Sequence, residues 1–261
     1  MEQARKLQLL ESLVDALCAE RDAEPPRTQD DYGLWASFRA LVNTRPPWPA
    51  DEAFLAEQDE LLQGLIAEAG IHGVDEAVPS PPDERMRLWR GDITTLSADA
   101  IVNAANSQML GCWVPGHHCI DNAIHTYAGV QLRAECAHII DAQGHEEPTG
   151  AAKATSAYNL PAKRVVHTVG PIANGRPTDL HREQLASCYE SCLDLAASED
   201  LHSIAFCCIS TGMFGFPQQE AAEIAVKTVR TWLDRTGSDL TVVFNVFGEE
   251  DEHIYQNLLG I

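Results

Sequence analysis

The spacing of apolar residues changes once along this chain, and the change separates two kinds of structure. From Met86 onward, short β-branched or apolar runs alternate with helical stretches, which is typical of an α/β layered domain. The runs predict strands over residues 86–89, 100–103, 165–168, 203–209 and 240–246. The stretches between them predict helices over residues 121–136, 179–197, 218–235 and 251–259.

The sequence before Met86 is typical of helices instead. Apolar residues recur at helical spacing over residues 7–17 and again over residues 54–66. Proline-rich connectors separate three predicted helices, of which the second covers about residues 31–42. Asp51 is suited to cap the third helix.

The proline-rich segment 78–82 marks the predicted domain boundary. We therefore divide the chain into a helical N-terminal extension, residues 1–84, and an α/β domain, residues 85–261. The extension is expected to cover a flank of the sheet, to help close the ligand cleft or to dock a partner. Aliphatic stripes at helical spacing, such as those of the extension, most often form part of a hydrophobic core.

Charge and cysteine content restrict the expected partners. The formal charge is −21, from 18 basic and 39 acidic side chains, so we expect no nucleic-acid partner. The N-terminus lacks a secretory layout, and no apolar run approaches the roughly 20 residues that span a membrane. We therefore expect a cytoplasmic protein without a membrane role. In a reducing compartment its 8 cysteines are expected to be free thiols or metal ligands.

A glycine-bearing turn, Ser-Thr-Gly-Met-Phe-Gly-Phe-Pro at residues 210–217, lies between a predicted strand and a predicted helix. In such a turn backbone N–H groups can converge on an anion, and the helix dipole assists. Because backbone N–H groups need no lysine, a pyrophosphate can be held locally in an acidic protein. The structural alternative is a tight turn without a ligand.

Residues 111–119 carry two thiols and two imidazoles within a short loop that also contains proline and glycine. Zn²⁺ accepts both kinds of ligand. A set formed by Cys112, His117 and Cys119 would leave one coordination position open, as in catalytic zinc sites, for a water or a sugar hydroxyl. We expect only one of the neighbouring His117 and His118 to coordinate. The alternative is two buried thiols and two solvent-facing histidines.

Two polar residues follow this loop on a predicted helix. Asp121 and His125 share a face because they are four residues apart. At a helix start, Asp121 is a candidate N-cap as well as a candidate catalytic acid or base. A histidine such as His125 more often packs or hydrogen-bonds than reacts.

Four segments, in order and spacing, resemble the macrodomain signature: Gly91-Asp92-Ile93-Thr94, residues 101–106, residues 165–171 and residues 210–217. The resemblance covers about residues 86–261. The Cys/His loop and the helix after it resemble the zinc-containing macrodomains encoded beside sirtuin-like ADP-ribosyltransferases in microbes, which also carry a helical N-terminal extension. The resemblance implies a three-layer α/β/α macrodomain with a mixed, mainly parallel sheet of about six strands. Its ligand cleft is expected at the C-terminal ends of the strands.

The resemblance also implies roles for individual residues. Asp92 is expected to accept a hydrogen bond from the adenine amino group, and Ile93 to line the same pocket. Asn106 is expected to meet the distal ribose, whereas Asn103 is structural. Phe247 is expected to pack against adenine. The diphosphate is assigned to the loop residues Ser210, Thr211, Gly212, Met213 and Phe214.

Together these roles predict a zinc-dependent hydrolase that removes mono-ADP-ribose from modified proteins. Zn²⁺ is expected beside the distal ribose, where it activates a water or fixes a ribose hydroxyl for attack at the anomeric carbon. Asp121 and Asn106 are the predicted catalytic residues. Many macrodomains without zinc have a glycine-rich catalytic loop where this chain has its Cys/His loop. Their catalytic mechanisms therefore cannot be applied unchanged to this chain.

The expected partners are a mono-ADP-ribosylated protein as substrate, ADP-ribose as product and a sirtuin-like ADP-ribosyltransferase system. Two alternatives remain open. One is a non-catalytic ADP-ribose-binding reader module, in which zinc only stiffens the loop. The other is an O-acetyl-ADP-ribose deacetylase, because a fold does not fix the chemistry.

Overall fold

The computed structural model describes residues 1–28 and 30–261 of the chain. Its strands are β1 (His72–Gly73), β2 (Val78–Ser80), β3 (Asp83–Arg90), β4 (Leu96–Ser97), β5 (Ala100–Ala105), β6 (Ala152–Ser156), β7 (Arg164–Val169), β8 (Ser203–Phe206) and β9 (Thr241–Val246). Its α-helices are α1 (Gln3–Ala19), α2 (Asp31–Asn43), α3 (Glu52–Ala69), α4 (Ile120–Ala128), α5 (Val130–Gln143), α6 (Asp179–Ser198), α7 (Gln218–Thr236) and α8 (Glu249–Leu259).

The main sheet has seven strands in the order β2-β3-β9-β8-β5-β7-β6, and β1 pairs separately with β4. Its five central strands run parallel, whereas β2 and β6 are antiparallel edge strands. All four residues of β8 are buried, as expected for a strand covered on both faces. Because the C-terminal ends of parallel strands meet at one edge, the loops after all five central strands open there. A ligand cleft is expected at that edge.

Helices cover this sheet in the predicted layers. Helix α7 packs against both α6 and α8, of which α6 contacts β6, β7 and β8 and α8 contacts β3 and β9, while α4 packs on β5 and α5 on β6. One apolar core joins the strands to these helices. The predicted three-layer α/β/α architecture with a mixed, mainly parallel sheet is confirmed, with seven strands instead of about six.

The N-terminal helices have a core of their own. Asp30 and Asp51 cap α2 and α3, since their side chains accept hydrogen bonds from the backbone N–H groups of Gly33 (2.8 Å) and Phe54 (2.7 Å). The cap predicted at Asp51 is thus present. The core comes from the leucines and aromatic residues of all three helices, including Leu9, Leu13, Leu17, Phe38, Leu61 and Leu62.

Two predicted elements needed correction. The helix predicted over 121–136 is two helices, because Gly129 between them has φ +100° and lies close to the Gln58 side chain. The strand predicted over 203–209 ends at Phe206, after which the chain turns out of the sheet. The sheet also begins within the proline-rich segment, because β2 starts at Val78. Among the described residues, no helix is both long and apolar enough to span a membrane.

Candidate active site

Three side chains of the loop between β5 and α4 converge. One ligand atom from each of Cys112, His117 and Cys119 lies within 4.8 Å of the other two, and Cys112 Sγ is 3.6 Å from His117 Nδ1. All three are half-buried, whereas His118 is exposed and outside the cluster. Two thiols and one imidazole fit Zn²⁺, and three protein ligands leave a fourth coordination position. The structure therefore brings the predicted ligands together.

Cys119 also begins α4. It occupies the N-cap position, where its Sγ accepts a hydrogen bond from the backbone N–H of Asn122 at 3.4 Å. The interpretation of Asp121 as the N-cap is therefore wrong. Instead, Asp121 lies in the first turn of α4, and its side chain is free to point inward.

The Asp121 carboxylate is buried between two amides. Its Oδ1 accepts a hydrogen bond from Asn103 Nδ2 at 2.8 Å, and its Oδ2 lies 3.4 Å from Asn106 Nδ2. Only 6% of Asp121 is exposed. Burial raises the pKa of this carboxyl to about 6, and the Asn103 hydrogen bond opposes the rise. A carboxyl group whose pKa approaches neutrality is suited to proton transfer.

Asn106 joins this carboxylate to the Cys/His loop. Its Nδ2 donates to the backbone carbonyl of Gly111 at 3.0 Å, at the start of that loop. Gly111 has φ +77°, and an added Cβ would lie 2.8 Å from the His125 ring. His125 Nε2 is in turn 3.5 Å from Asp121 Oδ1, so the predicted shared face of α4 is present.

The buried His167, for which the sequence predicts no role, contacts Asn103. His167 Nδ1 lies 3.1 Å from Asn103 Nδ2, and His167 Nε2 lies 2.9 Å from Thr155 Oγ1. Because an amide nitrogen only donates, Nδ1 must accept, so the ring proton is on Nε2 and points to Thr155. Burial lowers the pKa of His167 to about 3. The ring is therefore neutral in the folded protein.

This neutral histidine predicts a loss of stability in acid. Below pH 6.5 the unfolded chain binds a proton at residue 167 that the folded chain refuses, so the free energy of unfolding falls as the pH falls. Between pH 6.5 and 5 the loss from one such group is about 2 kcal/mol. In urea unfolding at both pH values, wild type should lose about that much more stability than His167→Asn. Equal losses in the two proteins would contradict the neutral assignment.

The residues predicted to hold adenine lie at the ends of β3 and β9. Asp92 is exposed, and its Oδ1 accepts from the backbone N–H of Thr94 at 3.0 Å and from its hydroxyl at 2.7 Å. Asp92 thus caps a short 3-10 turn and keeps access to solvent. Ile93 is buried in the main core, whereas the Phe247 side chain is 78% exposed. Asp92 and Phe247 are available to a ligand, while Ile93 presents almost no surface.

The loop predicted to hold a diphosphate follows β8, beside β5 in the sheet. Ser210 has φ +66° and its carbonyl accepts from the N–H of Phe216 at 2.9 Å, which closes the loop on itself. The loop also bonds to the segment after β7, since Gly175 N–H donates to the Gly215 carbonyl at 2.7 Å. At the end of β7, an added Cβ on Gly170 would lie 2.1 Å from Ser210 Oγ and 2.9 Å from Ile209 Cγ2, so a larger residue there would require these side chains to move.

Several backbone donors of this loop are unused. Among the described residues, the N–H groups of Gly212, Met213 and Phe214 donate to no protein acceptor. They precede the N-terminus of α7, whose dipole also favours negative charge. The arrangement suits a phosphate group. It lies at the same sheet edge as the Asp121 carboxylate, because β5 and β8 are parallel neighbours.

Comparisons with known proteins agree with this architecture. The Macro domain family profile matches residues 102–225. Two relatives named Protein-ADP-ribose hydrolase match nearly the whole chain: that of Treponema medium is 51% identical over 98% of each chain. That of Staphylococcus aureus (strain MRSA252) is 49% identical over 95% of this chain and 93% of its own.

A solved structure is similar as well. The crystal structure of a Trypanosoma brucei macrodomain in complex with ADP-ribose superposes with a TM-score of 0.66 at 31% identity. The match covers 85% of this chain and 95% of that one. Fold, motif order and near full-length relatives lead to one conclusion: the chain belongs to the macrodomain family.

Proposed function

We propose that this macrodomain is a hydrolase that removes mono-ADP-ribose from modified proteins. The observation that carries the proposal is the buried Asp121 carboxylate, held by two amides and followed closely in the fold by three side chains whose donor atoms are near enough to share one metal ion. A module that only binds ADP-ribose has no need for a buried carboxylate with a raised pKa. The names of two relatives about half identical over nearly the full chain support the same activity.

We also propose that Cys112, His117 and Cys119 hold a zinc ion. The donor atoms fit this metal in type and number, and their mutual distances allow one ion to be shared. When bound, Zn²⁺ supplies a Lewis acid with one position left for an oxygen ligand. The 8 cysteines are all free in the described residues, which suits a reducing cytoplasm, where we place the reaction.

The nucleotide would be held without basic side chains. Free backbone N–H groups of the loop after β8 bind the diphosphate, and the exposed Asp92 carboxylate accepts from the adenine amino group. Phe247 offers an apolar ring to the base. Because the chain carries a net charge of −21, binding depends on these local donors and not on long-range attraction.

Asp121 performs the proton transfer in this scheme. It takes a proton from a water molecule as the water oxygen bonds to the anomeric carbon of the distal ribose. The bond from that carbon to the modified side chain breaks, and the proton returns to the released side chain. Asn106, whose Nδ2 lies 3.4 Å from Asp121 Oδ2, is assigned to the ribose in this scheme, while Asn103 keeps the carboxylate oriented. The products are ADP-ribose and the unmodified protein.

The source of the substrate follows from the reaction. A mono-ADP-ribosylated protein requires an ADP-ribosyltransferase, and we propose a sirtuin-like system of the kind encoded beside similar macrodomains. In this scheme the hydrolase reverses the modification that the transferase introduces.

A turnover assay tests the proposed function. The full-length protein, loaded with zinc, should release free ADP-ribose from a mono-ADP-ribosylated protein over many cycles. Calorimetry on the same preparation should show ADP-ribose binding. Binding without release would identify a reader module. Deacetylation of O-acetyl-ADP-ribose without release from protein would identify a deacetylase.

A further inference from the structure

One side chain of the N-terminal extension is bonded into the Cys/His loop. Asn43, the last residue of α2, is only 1% exposed. Its Oδ1 accepts from the backbone N–H of Gly116 at 3.0 Å and from Asn122 Nδ2 at 2.8 Å. Its Nδ2 donates to Thr126 Oγ1 at 3.0 Å. All three bonds leave the extension, and none stabilises α2 itself.

A second side chain of α2 reaches a predicted metal ligand. Arg39 lies one turn before Asn43 on the same face. Its Nη2 donates to the backbone carbonyl of His117 at 3.2 Å and to Asn122 Oδ1 at 2.8 Å. Asn122 Nδ2 also donates to the Val114 carbonyl at 3.2 Å. Hydrogen bonds from α2 therefore hold His117 directly and Val114 through Asn122.

The outer part of the loop is held through a third residue. Arg133 of α5 is buried, and its Nη1 donates to the backbone carbonyls of Val42 and Arg45 at the end of α2. The Arg133 guanidinium carbon lies 4.3 Å from the ring centroid of Trp113. Such a cation–π contact fixes the indole that follows Cys112. The end of α2 therefore contacts the loop directly and through Arg133.

These contacts matter because the loop is otherwise poorly suited to hold its shape. Gly111 and Gly116 both have positive φ, at 77° and 65°. Glycine has the largest backbone entropy to lose on ordering. Three ligands from such a segment bind a metal more tightly when neighbouring groups set their positions beforehand, because less ordering is then needed on binding.

We propose that α2 positions the metal ligands, with Asn43 and Arg39 as positioning residues for the loop of Cys112, His117 and Cys119. The N-terminal extension is then part of the metal centre and not a separate docking module. This inference rests on the proposed zinc site and assigns a task to a segment whose role the sequence left open.

A matched pair of substitutions tests the inference. Asn43→Leu removes the buried amide that bonds to the loop. Gln58→Leu removes another fully buried amide of the extension, which accepts from the N–H of Val130 at 2.9 Å and donates to Gln131 at 2.8 Å. Both amides tie the extension to the rest of the protein, but only Asn43 contacts the Cys/His loop.

Three quantities are measured on the full-length proteins. Zn²⁺ affinity is obtained by competition with a chromophoric chelator, Gly116 amide exchange is followed on the metal-free protein, and thermal midpoints report stability. Asn43→Leu should weaken Zn²⁺ binding by roughly 10- to 100-fold and speed Gly116 exchange, as expected for loss of a ligand-orienting contact. Gln58→Leu should lower the thermal midpoint without changing the other two quantities.

The possible failures are distinct. If wild type binds one Zn²⁺ and Asn43→Leu binds it equally well, the positioning role is wrong and the zinc site stands. Equal losses of affinity in both variants would also refute the positioning role, because a general loosening of the fold would explain them. If wild type binds no Zn²⁺, the zinc site fails and the inference fails with it. Should Asn43→Leu not fold, Arg39→Met, which removes the bond to the His117 carbonyl, is judged by the same criteria.

Discussion

Replacing Asp121 with asparagine should lower the rate of ADP-ribose release by on the order of 100- to 10,000-fold, the usual contribution of a general acid or base. An amide has nearly the shape of a carboxylate and can still accept from Asn103 Nδ2, so the site should keep its geometry. It cannot take a proton from water at neutral pH. The loss should therefore appear in kcat at saturating substrate.

ADP-ribose affinity and the thermal midpoint show whether Asp121→Asn affects the reaction or the folded structure. ADP-ribose affinity should change little, because the predicted adenine and diphosphate contacts lie at the ends of β3, β8 and β9, and Asn106 keeps its hydrogen bond to the Gly111 carbonyl. The thermal midpoint should not fall much, because an uncompensated charge is costly to bury and an amide carries none. Retained affinity and stability would localise the effect to the reaction.

Asp99→Asn provides the control. Asp99 is also a buried carboxylate, but it precedes β5 and so lies at the sheet edge opposite the site. It accepts from Lys163 Nζ and from the backbone N–H of His202, both at 2.6 Å. The substitution should cost on the order of 1 to 3 kcal/mol of stability and leave kcat unchanged. Unchanged turnover in Asp121→Asn, or an equal loss in both variants, would remove Asp121 from the mechanism.

The parts of the site that could be predicted from the sequence are local in the chain. Cys112, His117 and Cys119 lie within eight positions, so one loop brings them together whatever the rest of the fold does. Asp121 and His125 share a helix face for the same reason. The anion-binding loop after β8 could be predicted because two glycines lie between a buried strand and a helix.

The contacts that hold these groups could not be predicted, because they join distant residues. The hydrogen bond from Gly116 to Asn43 spans 73 positions, and the contact between Asn103 and His167 spans 64. Neither pair has a spacing that a helix or strand would bring together. A polar residue in the middle of an apolar strand was the available signal for His167, and it does not name the partner.

The prediction of one continuous helix over residues 121–136 was wrong for a related reason. A single glycine inside a helical pattern is often tolerated, so the sequence alone favoured one continuous helix. At Gly129 an added Cβ would lie 2.6 Å from Gln58 Nε2, which belongs to the N-terminal extension. The backbone φ of +100° makes glycine necessary there, and Gln131 Oε1 would lie as close to the added Cβ as Gln58 Nε2 does. No sequence spacing shows this φ angle, so only the tertiary structure reveals the break.

Cys119→Ser should remove zinc binding while leaving the fold of the protein intact. Serine is among the preferred N-cap residues, so its hydroxyl can replace the thiol as acceptor for the N–H of Asn122 and preserve the start of α4. It is a poor zinc ligand, however, because the metal binds thiolate. Loss of one of three protein ligands should weaken Zn²⁺ binding by more than about 100-fold, the upper range for merely orienting contacts. Turnover without added zinc should fall in step with metal content.

The control for this substitution is Cys208→Ser, which changes another half-buried thiol outside the cluster and should retain one bound Zn²⁺. Metal content, ADP-ribose affinity and turnover are then compared for both variants. Because the loop after β8 and Asp92 do not contain metal ligands, Cys119→Ser should bind ADP-ribose nearly as well as wild type while failing to hydrolyse its protein conjugate. Full zinc content with full turnover would show that the thiol serves only as a helix cap. Loss of zinc with unchanged turnover would instead assign the metal to loop structure and leave Asp121 to act without it.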